Sequence, residues 1–193
     1  MNTFIDGYLH EYKRLLDATE NITGPLENLT SKLVECHNIG GSVCLLGNGG
    51  SAALASHVAV DLAKNAGIRA INFNESTLIT CLANDFGYED WMQEALRLYS
   101  ARKDLIVLIS SSGRSPNHIK AAQWCVENDR ELITFTGMDQ NNPLKQANSI
   151  GLNFWVDSKA YNHIELTHQF WLLMVIDMII GKTIYQSDNR LNA

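Results

Sequence analysis

The run Ser110-Ser111-Ser112-Gly113-Arg114-Ser115 sets four hydroxyls around one glycine directly behind the apolar, β-preferring residues Val107-Leu108-Ile109, and a helix-forming pattern begins at once after it. Hydroxyls at the end of a buried strand, facing the free N–H groups and positive dipole end of the next helix, make an anion site. The serines add donors without adding charge, which suits a phosphate that must bind and leave, and a phosphosugar is the natural ligand. The same cluster is also compatible with ordinary turn chemistry, in which hydroxyls cap the following helix and bind nothing. A second cluster weighs against that reading. Val43-Cys44-Leu45-Leu46 is followed by Gly47-Asn48-Gly49-Gly50-Ser51 and the helix-forming Ala52-Ala53-Leu54-Ala55. Two strand, Gly/Ser loop, helix units place two donor-rich loops on one edge of one sheet, where they can share a ligand.

The elements that must hold these loops follow from hydrophobic spacing. Helices are expected over residues 4–19 and 25–37, the first with a stripe through Phe4, Ile5, Tyr8, Leu9, Tyr12, Leu15 and Leu16. Strands are expected at 42–46, 69–73, 105–109, 131–135 and 150–155, with helices at 51–65, 91–99, 115–128 and 161–180. This alternation predicts an α/β three-layer sandwich, a five-stranded parallel sheet covered on both faces. A single domain over 1–193 is expected, with 1–40 as a helical segment for oligomer contacts and 41–193 as the α/β core. The last helix carries an apolar run, Phe170 to Ile176, far short of the roughly 20 residues that cross a bilayer. Burial against other subunits, with the first helix as partner, is the expectation instead of a membrane span.

Composition excludes several classes of partner. The chain has 193 residues, 46% of them hydrophobic, enough to bury a full core in one domain. A formal net charge of −6 and the lack of a Lys/Arg run argue against direct nucleic-acid binding. Cys36, Cys44, Cys81 and Cys125 have no C-x-x-C spacing and fall in helix or strand patterns, so they are expected as buried thiols. The opening residues, Met1 to Asp6, lack the pattern of a signal peptide, and a cytoplasmic location is expected. The Asn-x-Thr tripeptides at Asn21 and Asn28 then have no role as glycosylation sites.

Taken together, Gly47-Asn48-Gly49-Gly50-Ser51, Ala83-Asn84-Asp85-Phe86-Gly87, Ser110 to Ser115 with Ile119-Lys120-Ala121, and Thr134-Phe135-Thr136-Gly137 resemble, in order and separation, the motifs of the SIS (sugar isomerase) domain family. Within that family the chain is similar to the phosphoheptose isomerases. The resemblance implies a flavodoxin-like sheet and a homotetramer with active sites between subunits. It also implies conversion of sedoheptulose 7-phosphate into an aldoheptose 7-phosphate for bacterial surface polysaccharide. The family's phosphate loop falls on Ser110, Ser111, Ser112 and Ser115, its sugar loop on Asn48, Gly49, Gly50 and Ser51, and a further sugar contact on Asn84 and Asp85. An Asx turn is the plain alternative for Asn84-Asp85.

Moving a carbonyl between C1 and C2 needs a base for a carbon-bound proton and an acid for the oxygens of an enediolate. By resemblance the base falls on Asp61, where the family has Glu, one turn after His57. The family's Gln on the last helix falls on Glu165, and its acid His falls on Leu173. His168, three residues from Glu165, is the expected substitute, with an interface histidine as the plain alternative. Asp61 could equally serve a structural pair with Lys64. No cofactor is required, although zinc, held in some members of the family, would fall here on His57, Asp61 and Glu165. Two functions compete on these residues. One is a phosphoheptose isomerase with altered catalytic groups; the other is a non-catalytic SIS protein acting through protein contacts, like relatives that bind the bacterial replication initiator, favoured by Leu173.

Overall fold

A computed structural model describes residues 3–149 and 151–185. Two helices, α1 (Thr3–Ala18) and α2 (Thr23–Asn38), are joined by a 3-10 turn and precede the sheet. Then come β1 (Val43–Gly47), α3 (Gly50–Lys64), β2 (Ala70–Asn72), α4 (Ser76–Phe86), α5 (Trp91–Tyr99), β3 (Leu105–Ser110) and α6 (Pro116–Glu127). The chain continues through β4 (Glu131–Gly137), α7 (Pro143–Ala147), β5 (Leu152–Val156) and α8 (Tyr161–Ile180). All strands pair in parallel, in the order β2-β1-β3-β4-β5. The expected alternation is therefore observed, with two helices added. α4 holds residues expected in a turn, and α7 is only five residues long. The expected start of the last strand at Ile150 lies outside the described residues.

β1 and β3 are buried along their whole length, which explains why they read as unbroken apolar runs: a central parallel strand has no solvent face. The period of two still sorts their side chains. Val43, Leu45, Leu105, Val107 and Ile109 pack in a core with α2, α3 and α8, which contribute Leu29, Leu33, Val58, Leu62 and Val175. Cys44, Leu46, Ile106 and Leu108 face the other way, against Trp91, Met92 and Leu96 of α5 and Ala121, Ala122 and Cys125 of α6. Truncating a fully buried side chain such as Leu45 to Ala costs about 2–5 kcal/mol. Cys36, Cys44 and Cys125 are buried free thiols, with burial pushing Cys44 and Cys125 up to about 12. Cys81 corrects the expectation for its type, since α4 leaves it exposed.

Strand order brings the loops after β1 and β3 side by side, because these strands are neighbours in register from Val43↔Leu105 to Gly47↔Ile109. α8 then crosses the same edge. It buries His163, Ile164, Thr167, His168, Trp171, Leu172, Val175 and Ile176 against the sheet. Although α8 is long and apolar enough to cross a membrane by length and composition, 44% of its most apolar stretch is buried inside this fold. α1 rests on its start: Tyr8 and Tyr12 flank His163, and the Tyr12 hydroxyl donates to the Asn162 carbonyl (3.0 Å). The outer faces are left apolar, with Phe4, Ile5 and Leu9 of α1 and Leu166, Phe170 and Met178 of α8 exposed.

Candidate active site

The serine loop is a cradle built by backbone. β3 ends at Ser110, Gly113 turns the chain with φ +63°, and Ser115 with Pro116 opens α6. Ser110 and Ser111 are buried, yet the hydroxyl oxygens of Ser110 and Ser112 accept N–H bonds from Gly113 and Arg114 (both 3.2 Å). Their O–H protons are left to donate. Ser115 makes no side-chain capping bond to the helix it opens, so capping does not consume it. Facing this loop, Gly49 enters α3 with φ +54°, a conformation that favours glycine. Asn48, Ser51, Ser110, Ser111, Ser112 and Ser115 thus line one small cavity, with Tyr161, Glu165 and His118.

Glu165 connects this cradle to a second cavity. Its carboxylate sits against Gly50, where any Cβ would collide with it, and accepts from the Ser111 hydroxyl at 3.5 Å. It lines both spaces, the second of which, about 450 Å³, continues along α3 between Gly50, Ala53, Leu54 and His57 and is closed by Tyr8, Asn162, Leu166 and Gln169. Glu165 and Gln169 share this wall because residues four apart lie on one helix face. At the far end His57 is held between two helices. Its Nε2 lies 3.2 Å from Asp61 Oδ2, and its Nδ1 lies 3.4 Å from Gln169 Nε2. Asp61 is anchored in turn by Asn65, whose amide donates to Oδ1 at 3.1 Å.

Residues 7–137 match the SIS domain family. The chain belongs to the SIS domain family. The phosphoheptose isomerase of Trichlorobacter lovleyi is 33% identical over 146 residues, covering 72% of this chain and 74% of that protein. That of Shewanella loihica is 26% identical over 192 residues, covering 96% of each. Among solved structures, the phosphoheptose isomerases of Neisseria gonorrhoeae (TM-score 0.84, 24% identity) and Francisella tularensis (0.85, 21%) share the fold, each over 93% of this chain and 98% of the other.

In this SIS domain the site residues expected from sequence divide into three groups. Asn48, Gly50, Ser51, the four serines and Glu165 meet around the two adjacent cavities, with Gly49 turning the loop. Asn84 and Asp85 do not line them: both are exposed in the last turn of α4, where Asn84 donates to Asp85 at 2.9 Å. His168 is the clearest correction. A step of three residues turns a helix by about 300°, and the remaining 60° rotates His168 from the cavity wall into the core. There it is fully buried, its Nε2 donating to the Thr136 carbonyl at 3.0 Å between Phe135 and Trp171. Burial pushes its pKa down to about 4, so it stays neutral at pH 7 and has no access to a substrate.

Asp61 pairs with His57 and Asn65, with no bond to Lys64. Leu173 lines a separate apolar groove with Phe170, Met174 and Met178. Zinc does not fit. Among the described residues no three His, Cys, Asp or Glu side chains group as a metal would need, because Glu165 sits at the start of α3 while Asp61 lies eleven residues, roughly 16 Å, along it from Gly50. Residues that sequence reasoning missed are Gln169, Asn117 and His118. Gln169 was detectable from its four-residue spacing to Glu165; His118 gave no signal, since only the packing of α6 on β3 turns it under the cradle.

Proposed function

We propose that this SIS domain is an aldose–ketose isomerase that converts sedoheptulose 7-phosphate into D-glycero-D-manno-heptose 7-phosphate, for surface-polysaccharide heptose, through an enediolate. The observation that carries the reading is a pair of adjacent cavities sharing Glu165, an anion cradle in one and a carboxylate-backed imidazole at the far end of the other. From Ser51 to His57 helix α3 rises about 9 Å, a span matched to an extended seven-carbon phosphate. The phosphate seats on Ser110, Ser112 and Ser115 and the N-terminus of α6, and C1 and C2 reach His57.

There Asp61 accepts from Nε2–H and so leaves the lone pair on Nδ1, where the Gln169 amide holds it loosely at 3.4 Å and gives way to the substrate for histidine to act as general base. His57 removes the proton from C1 of the ketose and returns it to C2. As the carbonyl migrates, the O1–H proton passes to O2 through water in the half-open space beside His57, while Glu165, at the Gly50 end, accepts from the hydroxyls between the reacting carbons and the phosphate. The base role thus passes from Asp61 to the histidine it orients. The phosphoheptose isomerase relatives support this substrate. The reading extends to a homotetramer in the cytoplasm, in which the exposed apolar residues of α1 and α8 pack between copies. Light scattering tests the assembly, which a monomeric mass at micromolar concentration would refute. Incubation of the pure protein with sedoheptulose 7-phosphate tests the activity: an aldoheptose phosphate is expected, and binding without turnover would mark a non-catalytic SIS protein.

A further inference from the structure

Among the described residues, none that lines the anion cradle is a Lys or Arg. Its one carboxylate, Glu165, has the same sign as the phosphate it must accept. Hydrogen bonds and the N-terminal dipole of α6 would have to offset that repulsion in a desolvated space. Beneath the serines, however, lies an ionisable group that the proposed mechanism does not use. His118, on the first turn of α6, is 0% exposed. Its Nε2 is 2.9 Å from the Ile109 carbonyl and its Nδ1 is 3.2 Å from Asn117 Oδ1.

Both partners are acceptors, and the orientation of Asn117 is fixed by its other bonds. Asn117 Oδ1 accepts from the His118 backbone N–H and from Asn48 Nδ2, both at 3.1 Å, while Asn117 Nδ2 donates to Asn48 Oδ1 at 3.1 Å. Turning the amide over would set N–H against N–H at the backbone. A neutral His118 therefore satisfies Ile109 through Nε2–H and leaves its Nδ1 lone pair facing an oxygen. Only the imidazolium satisfies both.

We propose that His118 is the counter-charge of the cradle, a buried imidazole that takes up one proton when a phosphomonoester dianion seats against the serines. The inference rests on the phosphosugar reading of the site. Without an anion, burial pushes His118 down to about 4, against the upward pull of the Ile109 carbonyl, and the ring is neutral at pH 7. An opposite charge alongside favours the charged form and works against that burial penalty. Lys159 borders the outer side of Ser112 and Tyr161 without lining the cradle itself, and the other charged groups on neighbouring elements are paired or turned away. On α5, Glu94 is bonded to Arg97; Asp90, ahead of that helix, is bonded to Lys120 of α6. Arg114 in the loop pairs with Asp139, and Glu131 of β4 pairs with Lys32. Lys145 of α7 does not line the cradle, and from α8 Glu165 and Tyr161 face it, adding no positive charge. The proton comes from solvent to Nδ1 and forms the missing bond to Asn117; ligand and His118 together then carry one negative charge instead of two. Because the bound state holds the extra proton, affinity must rise as pH falls.

Sulfate is the discriminating probe, since its charge is constant across the range in which phosphate itself titrates. Calorimetric titration of the protein with sulfate at pH 6.5, in two buffers of different ionisation enthalpy, is expected to give an uptake of about half a proton or more. Affinity should gain up to about tenfold per pH unit on going from pH 8 to 6. His118→Gln keeps an N–H for Ile109 but cannot titrate; it should bind sulfate more weakly, with no uptake and a flat pH profile. Glu165→Gln should keep the uptake. The His118 imidazole carbon shifts of the parent protein, which do not depend on any variant folding, should move to the imidazolium position on saturation with sulfate. Sulfate binding without proton uptake, uptake unchanged in His118→Gln, or an imidazole still neutral at saturation would each overturn the assignment and leave the phosphosugar reading intact. Failure of both sulfate and sedoheptulose 7-phosphate to bind would remove the cradle itself, and both proposals with it.

Discussion

The two ends of the cavity are built differently. The cradle is made of backbone at the ends of two adjacent central strands, with Ser110 and Ser111 buried and Ser112 and Ser115 half-buried, and the reciprocal amide pair of Asn48 and Asn117 ties one loop to the other. The His57 end is made of side chains on two helices. The imidazole is 48% exposed, its bond to Gln169 is long, and the wall beyond it is the weakly buried α1 and the apolar outer face of α8. In the proposed reading, phosphate is held by groups of one chain, whereas the reacting end opens beside the exposed apolar residues of α1 and α8. A rigid anchor built of backbone can stay constant while the chemistry at the other end changes with two or three side chains.

The largest effects should come from the reacting end. His57→Gln is expected to lower kcat by about 1,000-fold, in the range of a lost general base, with little change in substrate affinity. Asp61→Asn should lower it about 100-fold, and the double variant should be no slower than His57→Gln, because residues that act as one unit are non-additive. Multiplicative losses would return the role of base to Asp61 itself. At the anchored end, replacing both Ser112 and Ser115 with Ala should weaken sedoheptulose 7-phosphate binding by about 10- to 100-fold, at about 1 kcal/mol or more for each charge-assisted bond. Thermal stability should be unchanged. Calorimetry giving parent affinity would break the contrast between the two ends.

A further effect, on stability and not on activity or binding, concerns the histidine that belongs to neither end. The folded-state pKa of His168 lies near 4, below the ordinary 6.5, so below about pH 6.5 the unfolded chain binds the extra proton and stability falls as pH drops towards 4, then levels off. Denaturant unfolding at pH 7 and pH 4.5 should show this loss, of order 2–3 kcal/mol for His168, reduced in His168→Gln. An equal acid loss in that variant would mean that His168 is not the buried neutral group its contacts describe.

Legibility in the sequence follows the same division. The sheet, the serine loop and the Gly47 to Ser51 loop were readable because strands β1 and β3 are unbroken apolar runs and a turn into a helix demands Gly and Ser at fixed places. α4 was lost because its residues sit outside a continuous stripe, with Leu82 its one fully buried side chain. His168 was misassigned because three-residue spacing marks a shared helix face only loosely, and a 60° rotation separates cavity from core. Asp61 was placed on the right helix face, but its distance from Glu165 is a matter of where α8 crosses α3, which no local pattern encodes. The partnership of Gln169 with His57, between residues 112 apart in the chain, is tertiary for the same reason.

The central claim is that this cavity isomerises a phosphosugar through an enediolate, and solvent exchange tests it most directly. The pure protein is incubated with sedoheptulose 7-phosphate in deuterium oxide and the products are followed by NMR. The account predicts an aldoheptose 7-phosphate carrying deuterium at C2, together with washed-in deuterium at C1 of the remaining ketose, both abolished in His57→Gln. Substrate that stays bound, unexchanged and unconverted would contradict the account and leave the protein as a binding member of its family.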